Sequence, residues 1–159
     1  MKDLGKGVVA AFGVGAVLKF GHDVLETADT VAKQAEALGI STEALQGWQH
    51  GAALSGSSAE EFAAAFTKFT RNVNEASEAA AGPAAKAFKE LGVQVKDSTG
   101  KLGAPIDLLD GVVAGLQNIE DPAKRTALVM DLFGKSGAKL LPLLSEGPAG
   151  IAKLRAEVA

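Results

Sequence analysis

Phe62, Phe66, Phe69, Val73, Ala76 and Ala80 recur at steps of four, three, four, three and four residues. A strand alternates its faces every two residues, so only an α-helix lines up such a series on one side. The stripe also takes three of the seven phenylalanines in a chain that has one tryptophan, Trp48, and no tyrosine. Much of the remaining apolar content is Ala, which favours helix but buries little area, so such helices either pack closely or need a partner to be stable. The 4-3 spacing is that of a short coiled-coil-like seam. Two settings stay open for Phe62, Phe66, Phe69, Val73 and Trp48: packing within one chain, or a partner-binding seam shared between chains.

The sequence on either side of the stripe is punctuated as a series of helices. Val17, Phe20, Val24, Val31, Ala35 and Leu38 mark an earlier helix, with Asp29 and Lys33 as a favourable i,i+4 pair on its other side. Gly39 ends it. Ser41 is placed to cap the next helix, with Glu43 in the first turn and Leu45, Trp48 and Ala52 on the apolar face. Gly56 breaks that helix, and Ser58 with Glu61 forms the S-x-x-E capping box that opens the Phe-rich helix. Arg71, Asn72, Asn74 and Glu75 fall off its stripe and are expected in water. Gly82-Pro83 stops it and starts a short helix to Leu91, terminated by Gly92. Val93, Val95 and Leu102 then flank the polar run Lys96–Lys101, which predicts a small β-hairpin near residues 93–103. Pro105 opens a helix striped by Ile106, Leu109, Val113 and Leu116. Asp121-Pro122 opens another, which runs to Phe133 and stops at Gly134. Ser136 is placed to cap an apolar turn through Leu140, Leu141, Leu143 and Leu144. Pro148 starts the last helix, with Ile151, Leu154 and Val158 on one face.

The fold class expected is therefore all-α, a multi-helix array or bundle with Gly/Pro breaks. Three segments follow from the punctuation: an apolar and amphipathic helix over 1–38, a helical segment with the seam over 39–91, and the hairpin with short helices over 92–159. The final helix carries no cap, which reads as a chain cut from something longer.

The N-terminal run Gly7–Leu18, which includes Phe12, Gly13 and Gly15, has no charge and follows Lys2 and Lys6. It is shorter than the ~20 residues that a spanning helix needs. It has the outline of a secretory leader, yet Asp3 sits in its basic region and no small-x-small site follows Leu18. Three readings stay open: an apolar stretch buried in helix packing, a membrane-seeking segment, and a cleaved leader. Gly5, Gly13, Gly15 and Gly21 suit close contact between helices. A formal net charge of -3 gives no general pull toward nucleic acid. With no cysteine, disulfides, thiol nucleophiles and thiolate metal sites are excluded. No cofactor is implied.

No stretch carries the pattern of an enzyme site. Gly134-Lys135-Ser136 resembles the end of a phosphate-binding loop, but the glycine required five residues earlier is Val129 and the segment follows a predicted helix. Gly13-Val14-Gly15 lacks the third glycine of a dinucleotide fingerprint, since Leu18 stands there. His22 and His50 have no metal-ligand spacing. Ser41, Ser57, Ser58 and Ser136 all have capping explanations.

Several segments, in this order, resemble phage tail tape measure proteins. They are Ala37–Leu45 (ALGISTEAL), Phe88–Val93 (FKELGV) with Asp97–Gly100, Ile119–Arg125 (IEDPAKR) and Leu132–Leu144 (LFGKSGAKLLPLL). Leu132, Phe133, Gly134, Ser136, Gly137, Leu140, Leu141, Pro142 and Leu143 carry the most specific of these motifs. The resemblance spans roughly residues 25–158, and these are packing and capping motifs. It implies a long, mostly helical structural protein of the virion, assembled in the host cytoplasm and held in the lumen of a siphophage-like tail tube. It implies tail tube protein and tail assembly chaperones as partners, a part in setting tail length, and release at DNA ejection. Self-association of helices agrees with the low aromatic content. Two other functions compete: a membrane-active helical protein that inserts through Gly7–Leu18, with host membrane contact on ejection, and a small helical-bundle enzyme with a scattered site.

Overall fold

Glycines, prolines and side-chain caps set most of the helix boundaries. The computed structural model describes residues 28–158, and these form eight helices. They are α1 over residues 28–38, α2 (Thr42–Leu54), α3 (Ala59–Glu78), α4 (Pro83–Glu90), α5 (Pro105–Leu116), α6 (Pro122–Phe133), α7 (Gly137–Leu144) and α8 (Gly147–Ala156). Well over half of the described residues are helical, so the all-α reading holds. The chain divides into two units, Met1–Thr42 and Glu43–Ala159.

Of the first unit, α1 and the turn after it are described. Asp29 and Lys33 pair at 2.8 Å on the surface of α1, as their spacing predicts. Gly39 adopts φ +72°, which lets the Ile40 N–H donate back to the Ala35 carbonyl at 3.0 Å. That bond satisfies one of the carbonyls a helix end leaves open. The run Gly7–Leu18 with Phe12, Gly13 and Gly15, the stripe residues Val17, Phe20 and Val24, and Gly5, Gly21 and His22 lie outside the described residues.

The second unit is organised on α3, which packs against α4, α5, α6 and α7. Its entry is the capping box: Ser58 Oγ accepts from the Glu61 N–H at 3.1 Å, and Glu61 Oε1 accepts from the Ser58 N–H at 3.0 Å. Phe62, Phe66, Phe69 and Val73 are buried. The stripe fades where α3 ends, with Ala76 half-buried and Ala80 exposed. The aromatic rings run as a chain from α2 to α6. Trp48 stacks on Phe62 with centroids 5.7 Å apart, and Phe62 on Phe66 at 5.9 Å. Phe69 meets Phe133 of α6 face to face at 4.8 Å and Phe88 of α4 edge-on at 5.7 Å. Such pairs add about 0.5–1.5 kcal/mol each beyond burial. The stripe thus faces three helices of its own chain.

Three expectations change. The hairpin near 93–103 reduces to one antiparallel bridge, Lys96 with Leu102, and no strand occurs among the described residues. Asp97 closes the turn through its carboxylate, taking the Thr99 and Lys101 N–H groups at 2.8 and 3.0 Å. Pro105 then begins a helix three residues after the bridge residue Leu102, which leaves no length for a ladder. Asn72, expected in water, is only 5% exposed. In α8 the apolar face stops short: Ile151 is buried and Leu154 half-buried, but Val158 lies past the helix end and is exposed.

Candidate functional site

The segment Leu132–Leu144 forms the corner between α6 and α7. Asp121 opens α6 by accepting from the Ala123 N–H at 3.1 Å, with Pro122 in the first turn. Leu132 and Phe133 close it as buried residues, and Gly134 turns the chain at φ +75°. Gly137 starts α7 pressed onto α6. A side chain there would put its Cβ 2.7 Å from Phe133 Cβ and 3.0 Å from the Val129 carbonyl oxygen. Leu140, Leu143 and Leu144 are buried, Leu141 is half-buried, and Pro142 lies exposed within the helix. Ser136 does not cap α7 as its position predicts. It is itself in helical conformation and makes no side-chain cap bond. The first N–H groups of α7 instead bond three residues back, Gly137 to Gly134, Ala138 to Lys135 and Lys139 to Ser136, at 3.0–3.2 Å. This tighter turn removes the need for a side-chain cap. Gly134-Lys135-Ser136 therefore sits between two helices.

Polar latches fasten this corner to α3. Ser57 Oγ donates to the Lys139 carbonyl at 2.9 Å. Lys139 Nζ in turn reaches Glu61 Oε2 at 2.6 Å, so one carboxylate serves both the capping box and the latch. The Lys139 hydrogen bond, aided by the Ser58 N–H, holds the Glu61 carboxyl below its ordinary range and raises Lys139 above its own. Farther along α3, the Asn72 amide donates to the Asp131 and Leu132 carbonyls at 3.1 and 2.8 Å. Those carbonyls belong to the last turn of α6, which has no helical N–H to offer them. Neither Ser57 nor Asn72 stands out from the sequence as a contact. The available signal for Asn72 was a second 4-3 step, Ala65, Phe69 and Asn72, which shares the buried side of α3.

Two surface grooves flank the α3–α4 junction. One, of about 520 Å³, lies among α3, α4 and α6 and includes Asn72 and Met130. The other, of about 530 Å³, lies among α3, α4 and the 92–96 segment, with Lys89 and Lys96 on it. Elsewhere, Arg155 approaches Asp110 at 3.5 Å, but burial prevails and pushes the Asp110 carboxyl up. His50 Nε2 contacts Glu157 Oε1 at 2.8 Å, joining α2 to the end of α8. Among the described residues no group of His, Asp and Glu could hold a metal ion. No helix among them is long and apolar enough to cross a membrane.

The structure therefore gathers Trp48, Phe62, Phe66, Phe69 and Val73 into one buried cluster and joins the Leu132–Leu144 motif to it through Phe133. The arrangement is one of packing faces and surface grooves. The family model of phage-related minor tail proteins matches residues 9–134, which is more than half of the chain. That stretch ends at the glycine turning the α6–α7 corner. No curated protein sequence and no solved structure matches the chain.

Proposed function

The chain belongs to the phage-related minor tail protein family, and on that premise we propose that it is a tape-measure-type protein of the tail tube lumen. A structural place in the virion tail follows from the family itself. The finer reading adds that the protein helps set tail length and assists DNA passage at ejection. Its proposed partners are further copies of itself, the tail tube protein and the tail assembly chaperones, with assembly in the host cytoplasm and contact with the host membrane at ejection. No enzymatic role, cofactor or specific nucleic-acid binding enters the proposal.

One observation supports this reading above the rest. The four segments that resemble tape measure proteins all fall where helices begin or end: between α1 and α2, from the end of α4 into the Asp97 turn, at the start of α6, and across the α6–α7 corner. The likeness therefore concerns how helices are joined in series, which is what a long helical structural protein must specify.

The test is made in the particle. Residues 43–159 are removed in frame from the phage gene, and in a second strain the same stretch is duplicated. Tail lengths are read by electron microscopy, and infectivity is scored on the same stocks. Shorter tails from the deletion and longer tails from the duplication are expected. Normally assembled tails of unchanged length in both strains would refute a measuring role for this region.

A further inference from the structure

We propose that the groove among α3, α4 and α6 docks a short cationic amphipathic segment of a partner protein. This inference goes beyond the tape-measure reading and does not rest on it. The groove floor is apolar, built from Ala76, Ala79 and Ala84 with the thioether of Met130 beside them. Met130 is 42% exposed, one of few large apolar side chains left open among the described residues. An unbranched thioether adapts to the shape of what lies against it. A volume of about 520 Å³ is in the range of specific binding clefts, with room for bulky apolar side chains.

Charge selects the occupant. Glu75, Glu78 and Asp131 border the groove against one cation, Lys68. None of the three carboxylates takes part in an ion pair among the described residues. The imbalance is local to this groove, because the neighbouring one has Lys89 and Lys96 and no carboxylate. At the base, Asn72 spends both amide hydrogens on the α6 carbonyls. Its Oδ1 has no partner among the described residues and is available to a donor. An apolar floor, an acidic border and one open acceptor together match a helix that lays leucine-like side chains inward and flanks them with lysine or arginine.

The probe is a synthetic helix with leucines on one face and lysines on the other, and its control is the same helix with glutamates replacing the lysines. Binding of labelled peptide to the full chain is followed by fluorescence anisotropy. The lysine helix is expected to bind, more weakly as salt rises, and the glutamate helix is not. Met130→Glu should weaken the lysine helix on the order of tenfold, although it adds a negative charge. The double variant Glu75→Lys, Glu78→Lys should weaken it comparably, and Lys89→Glu, in the other groove, should leave it unchanged. All these positions are on the surface, and a matching thermal melt confirms that each variant folds. Undiminished or tighter binding to Met130→Glu would mean diffuse charge attraction and would overturn the proposal. So would equal binding of both helices. A dimer of the unliganded chain that Met130→Glu dissociates would show that a second copy fills the groove, and would also overturn it.

Discussion

Asn72 illustrates how much can hang on one side chain. Its two hydrogen bonds serve the Asp131 and Leu132 carbonyls, which are 59 and 60 residues away along the chain. A buried acceptor left without a donor costs about 1–3 kcal/mol. Asn72→Leu should therefore destabilise the unit by about that amount in urea unfolding, while Arg71→Ala, one position away and exposed, should stay within about 0.5 kcal/mol. Asn72→Asp should be worse than Asn72→Leu at neutral pH, because a carboxylate would face two carbonyls. Glu61 governs the acid side. Its folded-state pKa lies below the ordinary carboxylate value, so its stabilising effect is complete above that ordinary value. The effect is lost as pH falls through the depressed folded value. Glu61→Gln should flatten this part of the acid limb when stability is measured across a pH series, with little further pH dependence gained near neutrality.

At the level of helices, the same packing that removes Phe66 from water makes it costly to truncate. Phe66→Ala should lose about 3–5 kcal/mol, as it leaves a gap between Phe62 and Phe69. A loss under about 1 kcal/mol would show that the stripe is not the core. Gly137→Ala probes the α6–α7 corner from the opposite side. The added methyl would meet a backbone carbonyl and a Cβ, neither of which swings away, so a cost of about 1–3 kcal/mol is expected in thermal unfolding. Helix starts and stops were legible in the sequence wherever the chemistry is local. Ser58 and Glu61 bond to each other's backbone, Asp121-Pro122 needs only its own first turn, and Gly39, Gly92 and Gly134 all take positive φ. The Asp97 turn and the helix start at Pro105 were legible too, but not the carboxylate that closes the turn in place of a strand ladder. The side of Asn72 could be read from the Ala65–Phe69–Asn72 step, but its α6 carbonyl partners and the groove beside it could not, since both exist only once α6 lies across α3. The aromatic cluster was readable as a stripe, and its neighbours Phe88 and Phe133 were not.

For the molecule as a whole, the proposed measuring role makes tail length depend on whether the second unit stays folded in the tail. A folded unit of this size has a radius of gyration of about 13 Å, or roughly 35 Å across. The same residues drawn out as one helix would span about 175 Å. Deleting residues 43–159 should thus shorten tails by roughly 35 Å if the unit enters the tube folded, and by about 175 Å if it is paid out as a single helix. Electron micrographs separate those outcomes easily.

The stacking of Trp48 on Phe62 has an optical consequence. Trp48 is the sole tryptophan and there is no tyrosine, so the near-ultraviolet emission of the purified chain comes from one indole. That indole sits at the α2–α3 junction, 1% exposed and nearly parallel to its neighbour. Its fluorescence should be blue-shifted in the native state and move to the red when the junction opens. Followed through a denaturant series beside far-ultraviolet circular dichroism, it reports on that single seam while the dichroism reports on every helix. Coincident curves would show that the seam and the helices melt as one cooperative body. An earlier fluorescence transition would mark the α2–α3 junction as the place where the chain first comes apart.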